Sequence, residues 1–270
     1  MFKFFQISRV KIWIVRWILP IINRFLKILS LKLVTLRTPN RDFTAFFVHL
    51  KKRGFYFQTI IDVGVGFGTP ALYKANPNAQ FYLIEPVPTA KNILESYAKK
   101  MNAIIFNVAA GAEENTIRFF VHEDVTGSSA LPQLEGNFLD GDSVMVPVKR
   151  LDNLITGPLK RPCVLKIDTQ GSELAVLSGA SGILDQIDVI LIEVSFHEFR
   201  QGAPEVHDIV IKMADLDFRC YEILEGHYRS VDNALAQVDM VFVRANSSLR
   251  AVKSFFSPEQ AKQYLHSGLV

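Results

Sequence analysis

The chain has 270 residues, of which 49% are apolar and 21% charged. These values exclude a disordered chain, a collagen and a disulfide-stapled scaffold, and the length suits one globular domain with short additions. The net charge of +3 is uneven, because residues 1–41 hold nine basic residues and no acidic one. The two cysteines, Cys163 and Cys220, lack the spacing of metal ligands, so we expect ordinary buried thiols in a reducing compartment.

The first predicted element is an apolar, basic helix within residues 12–31. Arg16, Arg24 and Lys27 interrupt the apolar run, which excludes a membrane-spanning helix. A cleaved signal peptide does not fit either, because no small-residue cleavage site follows. At about 100° per residue the basic side chains share one face, and Pro20 should kink the helix.

Such an amphipathic helix suits the interface of an anionic membrane, where apolar residues enter the headgroup boundary and basic residues meet the lipid phosphates. This function would place the protein in the cytoplasm, at the inner face of the membrane. The alternative is a helix that packs on the domain or on a second copy in a homo-oligomer. Nucleic acid is not expected as a partner, because the arm lacks polar side chains that read base edges.

Residues 37–40, Arg-Thr-Pro-Asn, predict a break, so we divide the chain into an arm, 1–41, and a domain, 42–270. In the domain, short runs rich in β-branched residues alternate with helical patterns, which is typical of a parallel sheet covered by helices on both faces. The predicted strands are 59–63, 81–84, 103–107, 117–121, 144–149, 164–167, 189–193, 219–224 and 239–244, and the predicted helices are 69–74, 88–101, 171–178 and 206–215. The last two strands should be antiparallel.

Candidate binding residues follow the first three strands, at the edge where open α/β sheets bind ligands. Asp62 and the glycines 64, 66 and 68 end the first strand, and Glu85 ends the second. Glycines let a backbone approach a ligand closely, and a carboxylate at the second position can accept the hydroxyl hydrogens of a ribose. After the third strand, the small side chains of Val108 and Ala109 leave room for a flat ring.

The glycine spacing separates two cofactor classes. The dinucleotide fingerprint, G-x-G-x-x-G, needs a third glycine where this chain has Thr69. The run Asp62, Gly64, Gly66, Gly68 with Glu85 instead resembles the S-adenosylmethionine-dependent methyltransferases of the Rossmann-like class. The second half, VPVKRLD at 146–152 and LKIDTQGSELAVLSGA at 165–180, resembles the FkbM family of methyltransferases. In that family the residue at position 170, here Gln170, is commonly acidic.

The resemblance covers residues 58–244 and implies an α/β class I fold, with a mostly parallel seven-stranded sheet and an antiparallel last strand. It also implies methyl transfer from S-adenosylmethionine to a hydroxyl acceptor, such as a sugar of a glycan, a glycolipid or a secondary metabolite. By matching positions, Gly64, Gly66 and Gly68 would face the methionine part of the cofactor, and Glu85 the ribose. Asp168 would lie beside the transferring methyl group.

A hydroxyl acceptor needs a base, and the candidates after the strands are Asp168, Glu193 and His197. The long connection, residues 122–143, should form part of a lid over the acceptor. No tight cluster of metal ligands is seen in the sequence, so no metal is expected. Two alternatives stay open: a binding or scaffold protein that keeps the fold without catalysis, and a nicotinamide-dependent oxidoreductase.

Overall fold

The computed structural model describes residues 18–26, 41–122, 125–134 and 141–266. The chain divides into two units, residues 1–40 and residues 41–270. In the first unit, helix α1 spans Leu19–Leu26, and most of the predicted helix over residues 12–31 lies outside the described residues. On α1 the side chains of Ile21 and Phe25 are 59% and 68% exposed. Within the described ranges, no helix is long and apolar enough to cross a membrane.

The described residues of the second unit form ten strands, of which seven make the main sheet and three make a small second sheet. The strands in chain order are β1 Thr59–Val63, β2 Gln80–Ile84, β3 Ala103–Phe106, β4 Ala109–Ala110, β5 Asn115–Phe120, β6 Ser143–Lys149, β7 Cys163–Ile167, β8 Val189–Ser195, β9 Phe218–Tyr228 and β10 Leu235–Arg244. The main sheet has the order β3-β2-β1-β7-β8-β10-β9. From β3 to β8 neighbouring strands are parallel, whereas β10 is antiparallel to both β8 and β9. This order confirms the Rossmann-like class I fold with an antiparallel last strand.

Helices cover both faces of the sheet, as the alternation of the pattern predicts. They are α2 Phe43–Lys52, α3 Pro70–Ala75, α4 Lys91–Ala98, α5 Leu151–Leu154, α6 Glu173–Gly179 and α7 Val206–Asp215; a further helix, α8, spans Pro258–His266. Helices α2, α3 and α4 pack on one face together with Ile60 of β1, whereas α5, α6 and α7 pack on the other face with Ile61. Adjacent residues of one strand therefore serve two separate cores.

The structure corrects several expectations. Helix α2 was not predicted, although Phe46, Phe47 and Leu50 have helical spacing and are buried. The predicted helix 88–101 is instead a 3₁₀ turn, Pro88–Ala90, followed by the shorter α4. Cys163 is buried as expected, but Cys220 is exposed, because it faces outward on the edge strand β9.

Strands β4, β5 and β6 form a small second sheet, and the long connection between β5 and β6 contains a docked loop. Strand β6 lies between β4 and β5. Within the connection, Ser129 pairs with Phe120 through two backbone hydrogen bonds of 2.8 and 2.9 Å. The guanidinium of Arg200 donates to the carbonyl of Leu131 at 2.8 Å. Residues 125–131, called the loop segment below, are thereby attached to the domain.

Candidate functional site

A cavity of about 580 Å³ lies at the carboxyl ends of the central strands, where the fold predicts a ligand site. Its walls come from the turn after β1, the end of β2, strand β4 and the loop segment. Residues of β7, β8 and β10 close the opposite end. Among the predicted site residues, Gly64, Gly66, Gly68, Glu85, Ala109, Asp168 and Glu193 line this cavity.

The three glycines after β1 all have positive φ angles, of 75°, 51° and 97°. At Gly64 a Cβ atom would lie 1.7 Å from the carbonyl oxygen of Asp168, so this glycine lets the ends of β1 and β7 meet. At Gly66 a Cβ atom would meet nothing within 4 Å, so the backbone conformation alone calls for glycine. The loop therefore leaves open space beside Gly66.

Glu85 is fixed by the same loop. Its side chain is only 4% exposed. One carboxylate oxygen accepts the backbone N–H of Gly66 and the other accepts that of Val87, each at 2.8 Å. Burial raises the pKa of Glu85, and the two backbone hydrogen bonds oppose that rise. The carboxylate is thus held still at the cavity wall, with lone pairs left for further donors.

Asp62 and Val108, which were predicted to bind cofactor, do not line the cavity. Asp62 is fully buried behind the glycine loop, where its Oδ2 accepts the hydroxyls of Tyr73 at 2.5 Å and Thr69 at 3.2 Å. Its Oδ1 accepts no hydrogen bond from the described residues and lies 3.6 Å from Nζ of Lys166. Asp62 therefore supports the site from behind the cavity wall, because its hydrogen bonds orient the turn after β1.

Lys166 is a buried cation at the acidic end of the cavity. Its side chain is 6% exposed, and its Nζ lies 3.2 Å from Oδ2 of Asp168. Burial lowers the pKa of Lys166, but Asp168, Asp62 and Asp239 outweigh burial and raise it. The ammonium group therefore stays charged and favours ionised carboxylates around it.

Glu193 and Asp239 complete the acidic end. They are cross-strand partners of β8 and β10, so their side chains lie on the same face of the sheet. Burial, together with Asp168 and Asp239, raises the pKa of Glu193 to about 9. Burial also raises the pKa of Asp239 to about 7. The cavity thus holds two buried carboxyl groups with raised pKa values, which suits acid–base chemistry.

Sequence reasoning missed Lys166 and Asp239. Lys166 lies in β7, and Asp168, two residues later, follows the end of this strand; the spacing of two was a usable signal that both side chains point to the same side. Asp239 could be found only from the antiparallel register with Glu193.

His197, predicted as a candidate base, lies beyond the end of β8, and the cavity walls do not include it. Its ring is half-buried and contacts the ring of Phe199, with the centroids 5.8 Å apart. The structure therefore brings Asp168 and Glu193 together and leaves His197 apart from them. Ser128, from the predicted lid, does line the cavity.

Comparison with known proteins gives one family. The sequence pattern of the family described as Methyltransferase FkbM domain matches residues 62–220, more than half of the chain. No protein of curated function matches significantly.

Solved structures with similar folds include precorrin-6y C5,15-methyltransferase from Geobacter metallireducens, at 13% identity and TM-score 0.40, covering 78% of this chain and 93% of that chain. The N-methyltransferase NodS from Bradyrhizobium japonicum has 8% identity and TM-score 0.44, covering 74% and 93%. Magnesium protoporphyrin IX methyltransferase from Synechocystis, with bound S-adenosylmethionine, has 10% identity and TM-score 0.40, covering 88% and 96%.

The raised pKa of Glu193 predicts how stability depends on pH. Between its ordinary value of 4.5 and about 9, the unfolded chain releases this proton while the folded chain keeps it. Glu193 therefore contributes stability below that window and loses it as the pH rises through about 9. In urea unfolding, Glu193→Gln should gain stability over the wild type as the pH rises, by up to about 1.4 kcal/mol per pH unit.

The matched control is Glu95→Gln, which changes an exposed glutamate of α4. Its difference from the wild type should be flat across the same pH range. A flat difference for Glu193→Gln as well would contradict the burial of an uncharged Glu193.

Proposed function

This chain belongs to the FkbM methyltransferase family, and we propose that it transfers the methyl group of S-adenosylmethionine to a hydroxyl oxygen of a sugar-like acceptor. The acceptor class we infer is a glycan, a glycolipid or a hydroxylated secondary metabolite. One observation carries this proposal. A single cavity presents a glycine loop with Glu85 at one end, and the carboxyl groups of Asp168 and Glu193 at the other.

The residues of the first end fit S-adenosylmethionine. The cavity of about 580 Å³ is within the usual range for cofactor sites. Gly66 leaves open space beside a backbone with positive φ, and the Glu85 carboxylate beside it suits two ribose hydroxyls. Ala109 and Ala110 give a wall of small side chains for the adenine ring. When bound, the cofactor supplies a methyl carbon that its sulfonium charge has already activated.

At the second end we assign the base to Glu193. Each oxygen of Asp168 accepts one hydrogen bond, from Nζ of Lys166 at 3.2 Å and from Nε2 of Gln170 at 3.1 Å, and has a further lone pair for an acceptor hydroxyl. By contrast, no described residue donates a hydrogen bond to Oε1 of Glu193. A hydroxyl acceptor must lose its proton, and Oε1 is free to accept it. Asp168 then orients the acceptor.

A carboxyl group with a pKa of about 9 is a strong base once ionised, but it is largely protonated at neutral pH. Positive charge bound nearby favours the ionised form. We therefore infer that, with the cofactor bound, Glu193 would release its proton to water, and its carboxylate would then accept the proton of the acceptor hydroxyl as the oxygen takes the methyl group.

Cofactor binding through Glu85 is tested by titration calorimetry. Glu85→Gln keeps the shape of the side chain but removes a charged acceptor for a ribose hydroxyl, a contact worth about 1.5–3 kcal/mol. The Kd for S-adenosylmethionine should rise about 10- to 100-fold. Glu95→Gln is the control and should leave Kd unchanged. An unchanged Kd in a folded Glu85→Gln protein would contradict the role of Glu85.

Oxygen as the methylated atom is tested by NMR. We would incubate the protein with S-adenosylmethionine carrying a ¹³C methyl group and with glycan, glycolipid and hydroxylated-metabolite fractions. A methyl-ether resonance should appear with the wild type and be reduced at least about 100-fold with Glu193→Gln, as expected for loss of a general base. A product resonance typical of N-methyl or S-methyl groups would contradict the proposal. Tight cofactor binding without any product would favour the inactive scaffold.

We also propose that the arm, residues 1–41, holds the enzyme at an anionic membrane surface. Two observations support this proposal: the arm has nine basic and no acidic residues, and α1 exposes Ile21 and Phe25. Each basic residue near an anionic surface contributes about 1 kcal/mol. Placement at the membrane would suit a lipid-linked acceptor.

The membrane proposal is tested by co-sedimentation of the full chain with vesicles containing phosphatidylserine. Changing Arg16, Arg24 and Lys27 to Gln should lower partitioning by about 100-fold or more, since about 3 kcal/mol is lost. The control, Lys253→Gln, changes an exposed lysine outside the arm. Equal partitioning of the triple variant and the wild type would overturn this placement.

A further inference from the structure

Gln170, in the turn between β7 and α6, has a backbone conformation that is unfavourable for its residue type. Its φ angle is 54°, in the left-handed region that costs an L residue about 1–2 kcal/mol. Its carbonyl oxygen accepts a hydrogen bond of 2.8 Å from Oγ of Ser129, and Ser129 is fully buried. The surroundings therefore hold Gln170 in a conformation that the residue itself disfavours.

The side chain of Gln170 reaches both carboxyl groups of the acidic end. Its Nε2 donates to Oδ1 of Asp168 at 3.1 Å and to Oε2 of Glu193. An amide nitrogen has two hydrogens, one for each of these oxygens. The flipped amide would place its oxygen against Oδ1 of Asp168, so this orientation is the favourable one.

The other partner, Ser129, belongs to the loop segment, residues 125–131. Its Oγ also accepts the backbone N–H of Leu131 at 3.0 Å. Four residues of the segment, Val125, Thr126, Ser128 and Ala130, line the cavity. Gln170 is thus in contact both with a wall of the cavity and with the carboxyl groups at its acidic end.

We propose that Gln170 is a positioning residue for the reaction: its side-chain amide joins Asp168 to Glu193, and its backbone carbonyl joins both to the loop segment through Ser129. This inference rests on the proposed function, because it takes Glu193 as the base and S-adenosylmethionine as the ligand. An acidic residue at this position could not donate to both carboxylates. The amide of Gln170 links the side chains of Asp168 and Glu193 by donating a hydrogen bond to each.

The pKa of Glu193 depends on the hydrogen bond from Gln170, so a change in this pKa tests the role of Gln170. Burial, Asp168 and Asp239 raise the pKa of Glu193, whereas Lys166 and the amide of Gln170 lower it. His227 of β9 also lines this cavity. Gln237 also donates to Oε2 of Glu193, at 3.0 Å. Loss of the Gln170 amide removes one of the favourable partners of the ionised form, so Glu193 should ionise at a higher pH.

The test compares S-adenosylmethionine with S-adenosylhomocysteine, which lacks the methyl group and the positive charge on sulfur. Titration calorimetry of the full chain across pH gives the ratio of the two affinities, which should rise as nearby carboxyl groups ionise. Glu193→Gln should remove the upper step of this rise. Asp239, with its lower pKa, should give a separate step that this variant keeps.

Gln170→Gly removes the amide while its backbone accepts a φ of 54° without strain. The upper midpoint should move up by about one pH unit, the size expected for one hydrogen bond to a charged group. Ser129→Ala should move it in the same direction by less, because the side chain of Gln170 is then held less firmly. Gln170→Glu, which keeps the length of the side chain, should move it at least as far as Gln170→Gly.

The matched control is Asn233→Gly, at an exposed turn residue with φ of 60°. It makes the same backbone change away from the cavity and should leave the midpoint unchanged. An unchanged midpoint in Gln170→Gly and Gln170→Glu, with both ligands still bound, would overturn the role of Gln170. Failure of the wild type to bind either ligand would instead overturn the proposed function, and this inference with it.

Discussion

The ammonium group of Lys166, buried at the end of the central strand β7, is the charge on which the acidic end of the cavity depends. A cation removed from water is tolerated only beside compensating charge. Asp62 and Asp168 supply that charge at 3.6 and 3.2 Å. Asp62 is in turn held by Tyr73 and orients the turn after β1. The ion-pair network therefore links the glycine loop to the acidic end of the cavity.

The same network sets the chemistry of its neighbours. Glu193 is buried near Asp168 and Asp239, and burial together with these two carboxyl groups raises the pKa of Glu193 to about 9. Two carboxyl groups in one cavity thus have different environments, and this difference supports our proposal that Asp168 orients the acceptor and Glu193 takes up its proton. The amide of Gln170 lies between them and adjusts the balance.

Much of the fold could be predicted from local pattern. Strand β1 and helix α7 have the predicted bounds, because a short β-branched run and an amphipathic period are local signals. The site was predicted where backbone geometry decides it, at Gly66 and at Glu85 after β2. Residues that depend on distant pairing were not predicted: Asp239 reaches the cavity through the register of β10 with β8, and Gln170 acquires its role through Ser129 in a loop. His197 was chosen for its chemistry, but the chain turns away after β8.

The most direct test of the central claim, that one cavity binds the cofactor at the glycine loop and carries out proton transfer at Glu193, is a crystal structure with S-adenosylhomocysteine. We expect the ribose hydroxyls on the carboxylate of Glu85, and the sulfur directed toward Asp168 and Glu193. A ribose bound away from Glu85, or a sulfur directed away from the acidic end, would contradict it.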